Sequence, residues 1–304
     1  MRLKFAGHWL AFLWIVKTIG ALKAAVQKAV EGKATSFELI YHALNKLVPK
    51  DTAQALKGGG VTHASMCVFF PTDESMGDPL GDGEGYKQAL KTFRRVLKFM
   101  VALRSYGITI NKIVGPSCFV LAKDYGLDWS EKKRRILRFY GDLSDDLEAA
   151  GVDVAIEMLR RGENYVIEEV AGWITLIDDL NNAYGGVEFA FGAHLDTFHM
   201  DELGRGQGNV IERLGARILH LHLNGTGRRP AGANGDNVDW QEVIEALQEV
   251  DINELVATNE PFCQLVRDEC PPLAEGLPSA VDEPGGMIAT RQMLEGLGVM
   301  FMTA

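Results

Sequence analysis

The amino-acid sequence predicts a single (β/α)8 TIM-barrel domain over residues 1–304, and three observations support it. The chain has 304 residues, the length of one barrel with inserted loops. Hydrophobic residues make up 47% of it and charged residues 24%, which suits a large buried core. Short apolar runs alternate with longer stretches of helical spacing, and that alternation is typical of parallel βα units.

Short apolar segments give the predicted strands. In order, they are Leu3–Trp9, Phe37–Tyr41, Ala64–Phe70, Ile108–Gly115, Val152–Leu159, Val187–Leu195, Arg217–Leu223 and Leu255–Glu260. The first lies within Met1–Val16, which has the early positive charges and apolar run of a signal peptide. We interpret it as a barrel strand because no clear small-residue cleavage pattern follows and His8 interrupts the run.

Stretches of helical spacing lie between these strands and after the last one. They are Ala21–Val30, Asp51–Leu56, Tyr86–Tyr106, Ser130–Ala150, Tyr165–Tyr184, Trp240–Val250 and Gly286–Leu297. Within Trp240–Val250, apolar residues recur at i, i+3, i+4, i+7 and i+10. Neither GxGxxG nor GxxxxGK[ST] follows an early strand, so the closed barrel is favoured over an open nucleotide-binding sheet.

The charge and composition of the chain limit the partners that it can bind. The net charge of −10 opposes binding to nucleic acid or to an anionic membrane, and no apolar run reaches the roughly 18 residues of a membrane span. Four scattered cysteines without metal-binding spacing indicate reduced thiols, so we expect a cytoplasmic protein. Long loops near 71–85 and 263–286 follow strands and should therefore lie at the active-site face of the barrel.

Four strand ends each offer a metal ligand. Glu157, Asp196, His222 and Glu260 follow one another at intervals of 39, 26 and 38 residues, each about one βα unit. A lone Glu at a strand end is usually a capping or ion-paired group, but four such residues on consecutive strands favour a shared site. Three carboxylates and one imidazole suit Mn²⁺, Mg²⁺ or Co²⁺, whereas a structural zinc site would favour thiolates.

Five short segments resemble motifs of the D-tagatose/D-psicose 3-epimerases, within the xylose-isomerase-like TIM barrels. The run His194–Met200 (HLDTFHM), which begins at the end of the predicted sixth strand, resembles that family's signature for its sixth strand. The other matching segments are Ile156–Tyr165 (IEMLRRGENY), Leu219–Leu223 (LHLHL), Asn259–Phe262 (NEPF) and Gly227–Trp240 (GRRPAGANGDNVDW). The resemblance covers residues 110–262.

This resemblance implies a ketose epimerase with one divalent metal ion, Mn²⁺ first and Mg²⁺, Co²⁺ or Zn²⁺ after it. Glu157 and Glu260 would both bind metal and act as acid and base on opposite faces of a small sugar, through a cis-enediolate beside the metal. Glu163, His199 and Arg228 would hold substrate oxygens. The sequence leaves the oligomeric state open, a homo-oligomer included.

Several assignments stay open at this stage. The loop after His222 is about two residues longer than the family pattern, so Arg228 and Arg229 compete for the substrate role. His220 faces the barrel or packs between sheet and helix. His8, Trp9 and Trp14 line the pocket or pack in the core.

Four other functions share this scaffold. Aldose–ketose isomerisation or dehydration of a keto-inositol would use the same ligands. A type-IV apurinic endonuclease needs a further His where Val238 stands, and the net charge of −10 opposes a phosphate backbone. An inactive sugar-binding barrel is opposed by the intact set of ligands.

Overall fold

Eight parallel strands close into a barrel in the computed structural model, which describes residues 1–8, 18–41, 47–202, 206–250, 252, 254–260 and 283–302. The strands are β1 Arg2–His8, β2 Ser36–Ile40, β3 Ala64–Cys67, β4 Lys112–Gly115, β5 Asp153–Glu157, β6 Phe191–Asp196, β7 Ile218–Gly225 and β8 Glu254–Asn259. Each strand pairs in parallel with the next, and β8 pairs with β1. The predicted fold class is confirmed.

Helices surround the barrel. They are α1 Ile19–Glu31, α2 Pro49–Gly58, α3 Gly83–Ser105, α4 Trp129–Gly141, α5 Ser144–Ala150, α6 Val170–Tyr184, α7 Thr197–Glu202, α8 Gln207–Leu214, α9 Trp240–Glu249 and α10 Glu283–Gly296. Aspartate side chains cap the first turns of α4 and α9. Asp128 accepts from the Glu131 amide at 2.9 Å, and Asp239 accepts from the Glu242 amide at 3.0 Å. No helix among these described residues is long and apolar enough to cross a membrane.

Several predicted elements differ from the structure in their bounds, among them the fourth strand, which begins at Lys112, and the helix predicted from Tyr165, which begins at Val170. The single helix predicted over Ser130–Ala150 is two helices, because Asp142 between them is held from outside by Tyr86 at 2.7 Å and by Arg94 at 2.8 Å. The sixth strand begins at Phe191, four residues later than predicted. There the Asn181 side chain bonds both backbone groups of Phe191, at 2.9 and 2.8 Å. The sequence analysis did not single out α7 or α8.

Of the two predicted long loops, the structure describes the first in full and only the end of the second. Residues 71–85 follow β3 and lead into α3, so this loop begins at the rim where the strands end. Asp78 holds it in place by accepting from Tyr125 at 2.7 Å and Lys123 at 2.8 Å. Most of the second loop, residues 263–282, lies outside the described residues. Cys67 and Cys118 are buried free thiols, and Cys263 and Cys270 fall in the part not described.

A buried tryptophan ties helix α6 to the strand that carries a predicted ligand. Trp173 is 0% exposed, and its Nε1 donates to the Ile156 carbonyl at 3.1 Å, one residue before Glu157. Trp173→Ala should therefore lower the free energy of unfolding by about 3–5 kcal/mol, measured by urea denaturation without metal. Val187→Ala is the control, because Val187 is 94% exposed and should change it by less than about 0.5 kcal/mol. A loss below about 1 kcal/mol for Trp173→Ala would contradict this packing role.

Candidate active site

The carboxyl-end rim of the barrel carries the four predicted ligands. Glu157 and Asp196 are the last residues of β5 and β6, His222 lies on β7, and Glu260 directly follows β8. Parallel strands in a barrel all end at the same rim, so side chains from different strands meet there. Each of the four residues is at most 6% exposed. The structure thus brings the predicted set into one buried space.

Ligand atoms of Asp196, His222 and Glu260 lie at distances that one cation can bridge. His222 Nδ1 is 3.1 Å from Glu260 Oε2 and 3.9 Å from Asp196 Oδ2. One ligand atom from each of Asp196, His222 and Glu260 lies within 4.8 Å of the other two, and Glu157, Asp196 and His199 form a second such group. Asp196 belongs to both groups and therefore links Glu157 to His222 and Glu260.

The charge of this space favours a cation. Burial raises the pKa of Glu157 well above its usual range, and the carboxylates of Asp196 and Glu260 raise it further, against the opposing charge of His222. Burial also raises the pKa of Asp196 to about 6, although Arg228 and His222 oppose the shift. Several carboxylates packed away from water need positive charge to stay ionised. Their oxygens and one imidazole nitrogen fit a hard divalent ion.

Glu260 differs from the other two carboxylates because four side chains contact it. His222 Nδ1 lies at 3.1 Å, Arg228 Nη1 at 3.1 Å, Asn224 Nδ2 at 3.3 Å and His8 Nδ1 at 3.4 Å. Burial alone would raise the pKa of Glu260, but His222 and His8 beside it hold that pKa well below its usual range. Glu157 and Glu260 therefore occupy chemically unlike surroundings within one site.

The three residues predicted to bind substrate form a connected group beside the carboxylates. Arg228 Nη2 lies 3.2 Å from Glu163 Oε2 and 3.1 Å from His199 Nε2. His199 Nε2 is also 3.6 Å from Glu157 Oε1 and 3.7 Å from Asp196 Oδ2. The group thus carries a guanidinium, an imidazole and a carboxylate, each of which can bond sugar hydroxyls.

The loop after β7 distinguishes the two competing arginines. Arg228 is 4% exposed and points into the site, while the Arg229 guanidinium donates to the Asn234 carbonyl at 2.6 Å within the loop. Arg228 has a left-handed backbone with φ of 54°, a strained conformation for a residue other than glycine. Asp236 holds the loop by accepting from four donors: the amides of Thr226, Gly232 and Val238, and Trp240 Nε1.

Glu38 was not predicted as a site residue; it lies in the middle of β2 and is 0% exposed. Its carboxylate lies 2.9 Å from His222 Nε2, 2.7 Å from His220 Nε2 and 3.2 Å from His8 Nε2. Burial opposes its ionisation, but His222 and His220 hold the pKa of Glu38 well below its usual range. The available signal was a charged residue between the apolar residues Phe37 and Leu39 of a predicted strand.

Further imidazoles and an amide line the same interior. His220 faces the barrel, and His8 is buried against Glu38 and Glu260 rather than in an apolar core. Neither His194 nor Asn224 was singled out from the sequence: His194 Nδ1 lies 3.7 Å from Glu157 Oε2, and Asn224 donates to both Asp196 and Glu260. The remaining aromatic candidates, Trp9 and Trp14, lie outside the described residues, as does Phe262 of the NEPF segment.

Comparison with known proteins identifies the family. The model of the xylose isomerase-like TIM barrel family matches residues 26–281. The chain belongs to this family.

Curated relatives of this xylose isomerase-like barrel include named 3-epimerases. A D-psicose 3-epimerase of Ruminiclostridium cellulolyticum is 33% identical over 118 residues, 39% of this chain and 37% of the relative. A D-psicose 3-epimerase of Enterocloster bolteae is 28% identical over 43% of this chain and 40% of the relative. An L-ribulose 3-epimerase of Methylomonas sp. is 24% identical over 82% of each. The first two matches thus span less than half of each relative.

Solved structures give the same fold over nearly the whole chain. A D-allulose 3-epimerase of Methylomonas sp. in complex with D-allulose superimposes with a TM-score of 0.81 at 17% identity, covering 97% of both chains. A D-psicose 3-epimerase in the presence of D-fructose gives a TM-score of 0.78 at 19% identity, covering 97% of this chain and 99% of the other. At such identities the likeness shows a shared fold.

Proposed function

We propose that the protein is a divalent-metal-dependent sugar epimerase that inverts C3 of a free ketose. One observation carries this proposal: Glu157 and Glu260 project from β5 and β8 into one buried space, each within hydrogen-bonding or ion-pair distance of a different set of side chains. Curated relatives named as 3-epimerases support it. A cofactor-independent sugar-binding role would not require two such carboxylates.

In the proposed reaction the two carboxylates exchange roles across the sugar. One of Glu157 and Glu260 takes the proton from C3, which leaves a cis-enediolate. The other delivers a proton to C3 from the opposite face, so the configuration inverts and the carbon skeleton is unchanged. The reverse reaction uses the same two groups in the opposite order.

The other side chains bind the ion and the sugar. Glu157, Asp196, His222 and Glu260 would hold one divalent ion, with Mn²⁺ the first candidate and Mg²⁺, Co²⁺ and Zn²⁺ the others. The bound ion supplies polarisation of the ketose carbonyl. Arg228, together with Glu163 and His199, would bond the remaining hydroxyl groups and hold C3 between the carboxylates.

The proposed substrate is an unphosphorylated sugar. Gly285 and Gly286 lie in the first turn of α10, where backbone amides could bind a phosphate, but Gly286 has a packing reason of its own. A Cβ at Gly286 would lie 2.7 Å from Pro230 Cγ, so glycine lets α10 approach the loop that carries Arg228. Arg228 itself already contacts Glu163 and Glu260, which leaves less positive charge for a phosphate.

The test is product formation from a panel of ketoses and ketose phosphates. The Mn²⁺-loaded protein should form C3 epimers from one or more free ketoses, detected by chromatography, and EDTA should stop the reaction. Isomerisation to an aldose, loss of water from a keto-inositol, or a strict need for a phosphate would instead support the corresponding alternative.

Cleavage of nucleic acid is not expected. In the part of the chain that the structure describes, Asp236 uses its oxygens to hold the loop, and Val238 stands where an endonuclease would need a further imidazole ligand. Incubation with abasic-site DNA and Zn²⁺ should therefore leave the DNA intact on a gel. Efficient, EDTA-sensitive cleavage would overturn this ranking of functions.

A further inference from the structure

The interior of the barrel holds a carboxylate outside the proposed ligand set. Glu38 lies in the middle of β2, which β1 separates from β8, and is 0% exposed. A fully buried charge persists only where hydrogen bonds or opposite charges compensate it. The partners of each of its two oxygens therefore indicate what this carboxylate does.

The two oxygens of Glu38 have separate partners. Oε2 accepts from Ser65 Oγ at 3.0 Å, from Thr258 Oγ1 at 3.1 Å and from His220 Nε2 at 2.7 Å. Oε1 faces His222 Nε2 at 2.9 Å and His8 Nε2 at 3.2 Å. Because three donors hold Oε2, the position of Oε1 against His222 is fixed by strands β3, β7 and β8.

This contact lies on the side of the His222 ring away from the proposed metal. Both ring nitrogens face carboxylates: Nε2 lies 2.9 Å from Glu38 Oε1, and Nδ1 lies 3.1 Å from Glu260 Oε2 and 3.9 Å from Asp196 Oδ2. An ion held by Asp196 and Glu260 would take the lone pair of Nδ1, and the ring proton would then lie on Nε2 and be donated to Glu38, a carboxylate that only accepts. A carboxylate on the far nitrogen of a ligating imidazole fixes the orientation of the ring and strengthens its binding to the metal.

We infer that Glu38 is a positioning residue that holds His222 with Nδ1 directed at the metal. The inference rests on the proposed function, because it requires a metal ion between His222, Asp196 and Glu260. Glu38 itself faces Nε2, on the other side of the His222 ring from Asp196 and Glu260, and in this proposal it is not a ligand. It acts on the proposed metal site through His222, and through His8, which lies 3.2 Å from Glu38 and 3.4 Å from Glu260.

The first test reads the ligating nitrogen directly. Protein with 15N-labelled histidine is loaded with Zn²⁺, which is diamagnetic, and long-range proton–nitrogen NMR correlations are recorded, with His222→Gln used to assign the signal. We expect His222 to bind Zn²⁺ through Nδ1 and to keep a proton on Nε2. Zinc bound through Nε2 would overturn the inference and leave the proposed function standing. Failure of Zn²⁺ to reach His222 at all would overturn both.

The second test measures the affinity for Mn²⁺ by titration, followed by the electron paramagnetic resonance of free ion. Glu38→Gln keeps the side-chain shape but removes the charge, so the dissociation constant should rise about 10–100-fold. Glu84→Gln, the matched control, removes the charge of an exposed carboxylate on α3 and should leave the constant unchanged. Equal constants for wild type and Glu38→Gln would overturn the inference. The NMR result on wild type decides it even if Glu38→Gln does not fold.

Discussion

Replacing either Glu157 or Glu260 with glutamine should stop epimerisation while leaving proton exchange on one epimer. Glutamine has nearly the same shape as glutamate but cannot accept or deliver the C3 proton. Formation of the C3 epimer should therefore fall at least about 10³-fold in each variant, within the range for losing one acid–base group. The remaining carboxylate can still remove and return a proton on its own face. Each variant should thus exchange C3 hydrogen for deuterium in a different epimer.

NMR of both epimers in D2O measures this result, with metal content determined for every sample. Glu84→Gln is the control, because Glu84 is an exposed residue of α3 whose side chain contacts Lys87 at 2.7 Å. This control should retain full activity. Epimerisation by either site variant at near wild-type rate, or exchange confined to the same epimer in both, would contradict the two-carboxylate assignment.

Replacing His222 with alanine should remove the metal ion. The imidazole is the one nitrogen ligand in the proposed set, and without it three buried carboxylates remain around the same space. We expect the wild type to hold about one ion per chain after purification without chelator, and His222→Ala to hold less than about a tenth of that. Elemental analysis measures both. Metal binding should also stabilise the wild type by about 2.7 kcal/mol when free ion is at 100 times its dissociation constant.

A second histidine provides the control for this loss. His63 lies just before β3, at the opposite end of the barrel, and contacts Ser36 Oγ at 2.8 Å. His63→Ala should retain the full metal content. If His222→Ala kept the wild-type content and stabilisation, the assignment of this ligand would be wrong.

The alternation of short apolar runs with helical stretches was sufficient to predict the barrel. Parallel strands that are buried on both faces consist of nearly uninterrupted apolar residues, so they are recognisable in the sequence. The boundaries were less accurate where side chains override the pattern. Val187 has strand character but is 94% exposed, and the strand begins where Asn181 bonds Phe191. A single helix was predicted across Asp142, whose bonds to Tyr86 and Arg94 come from residues far away in sequence.

Some residues of the candidate site could be predicted from the sequence, and others could not. Residues at strand ends were found by spacing, because each must lie at the common rim once the barrel is assumed. Glu38 was not found, since its partners His222 and Thr258 lie 184 and 220 residues away and no local motif connects them. His8 was weighed only as a pocket or core residue, and its contact with Glu38 follows from β1 and β2 being neighbours.

The position of deuterium in the product tests the central proposal most directly. The Mn²⁺-loaded protein is incubated in D2O with each free ketose that it binds, and the products are analysed by NMR. The two-carboxylate proposal predicts deuterium at C3 together with inversion at C3, and none at C1. Deuterium at C1 or C2 would indicate an aldose–ketose isomerase instead, and no exchange into any ketose by metal-loaded protein would contradict the proposed proton transfer.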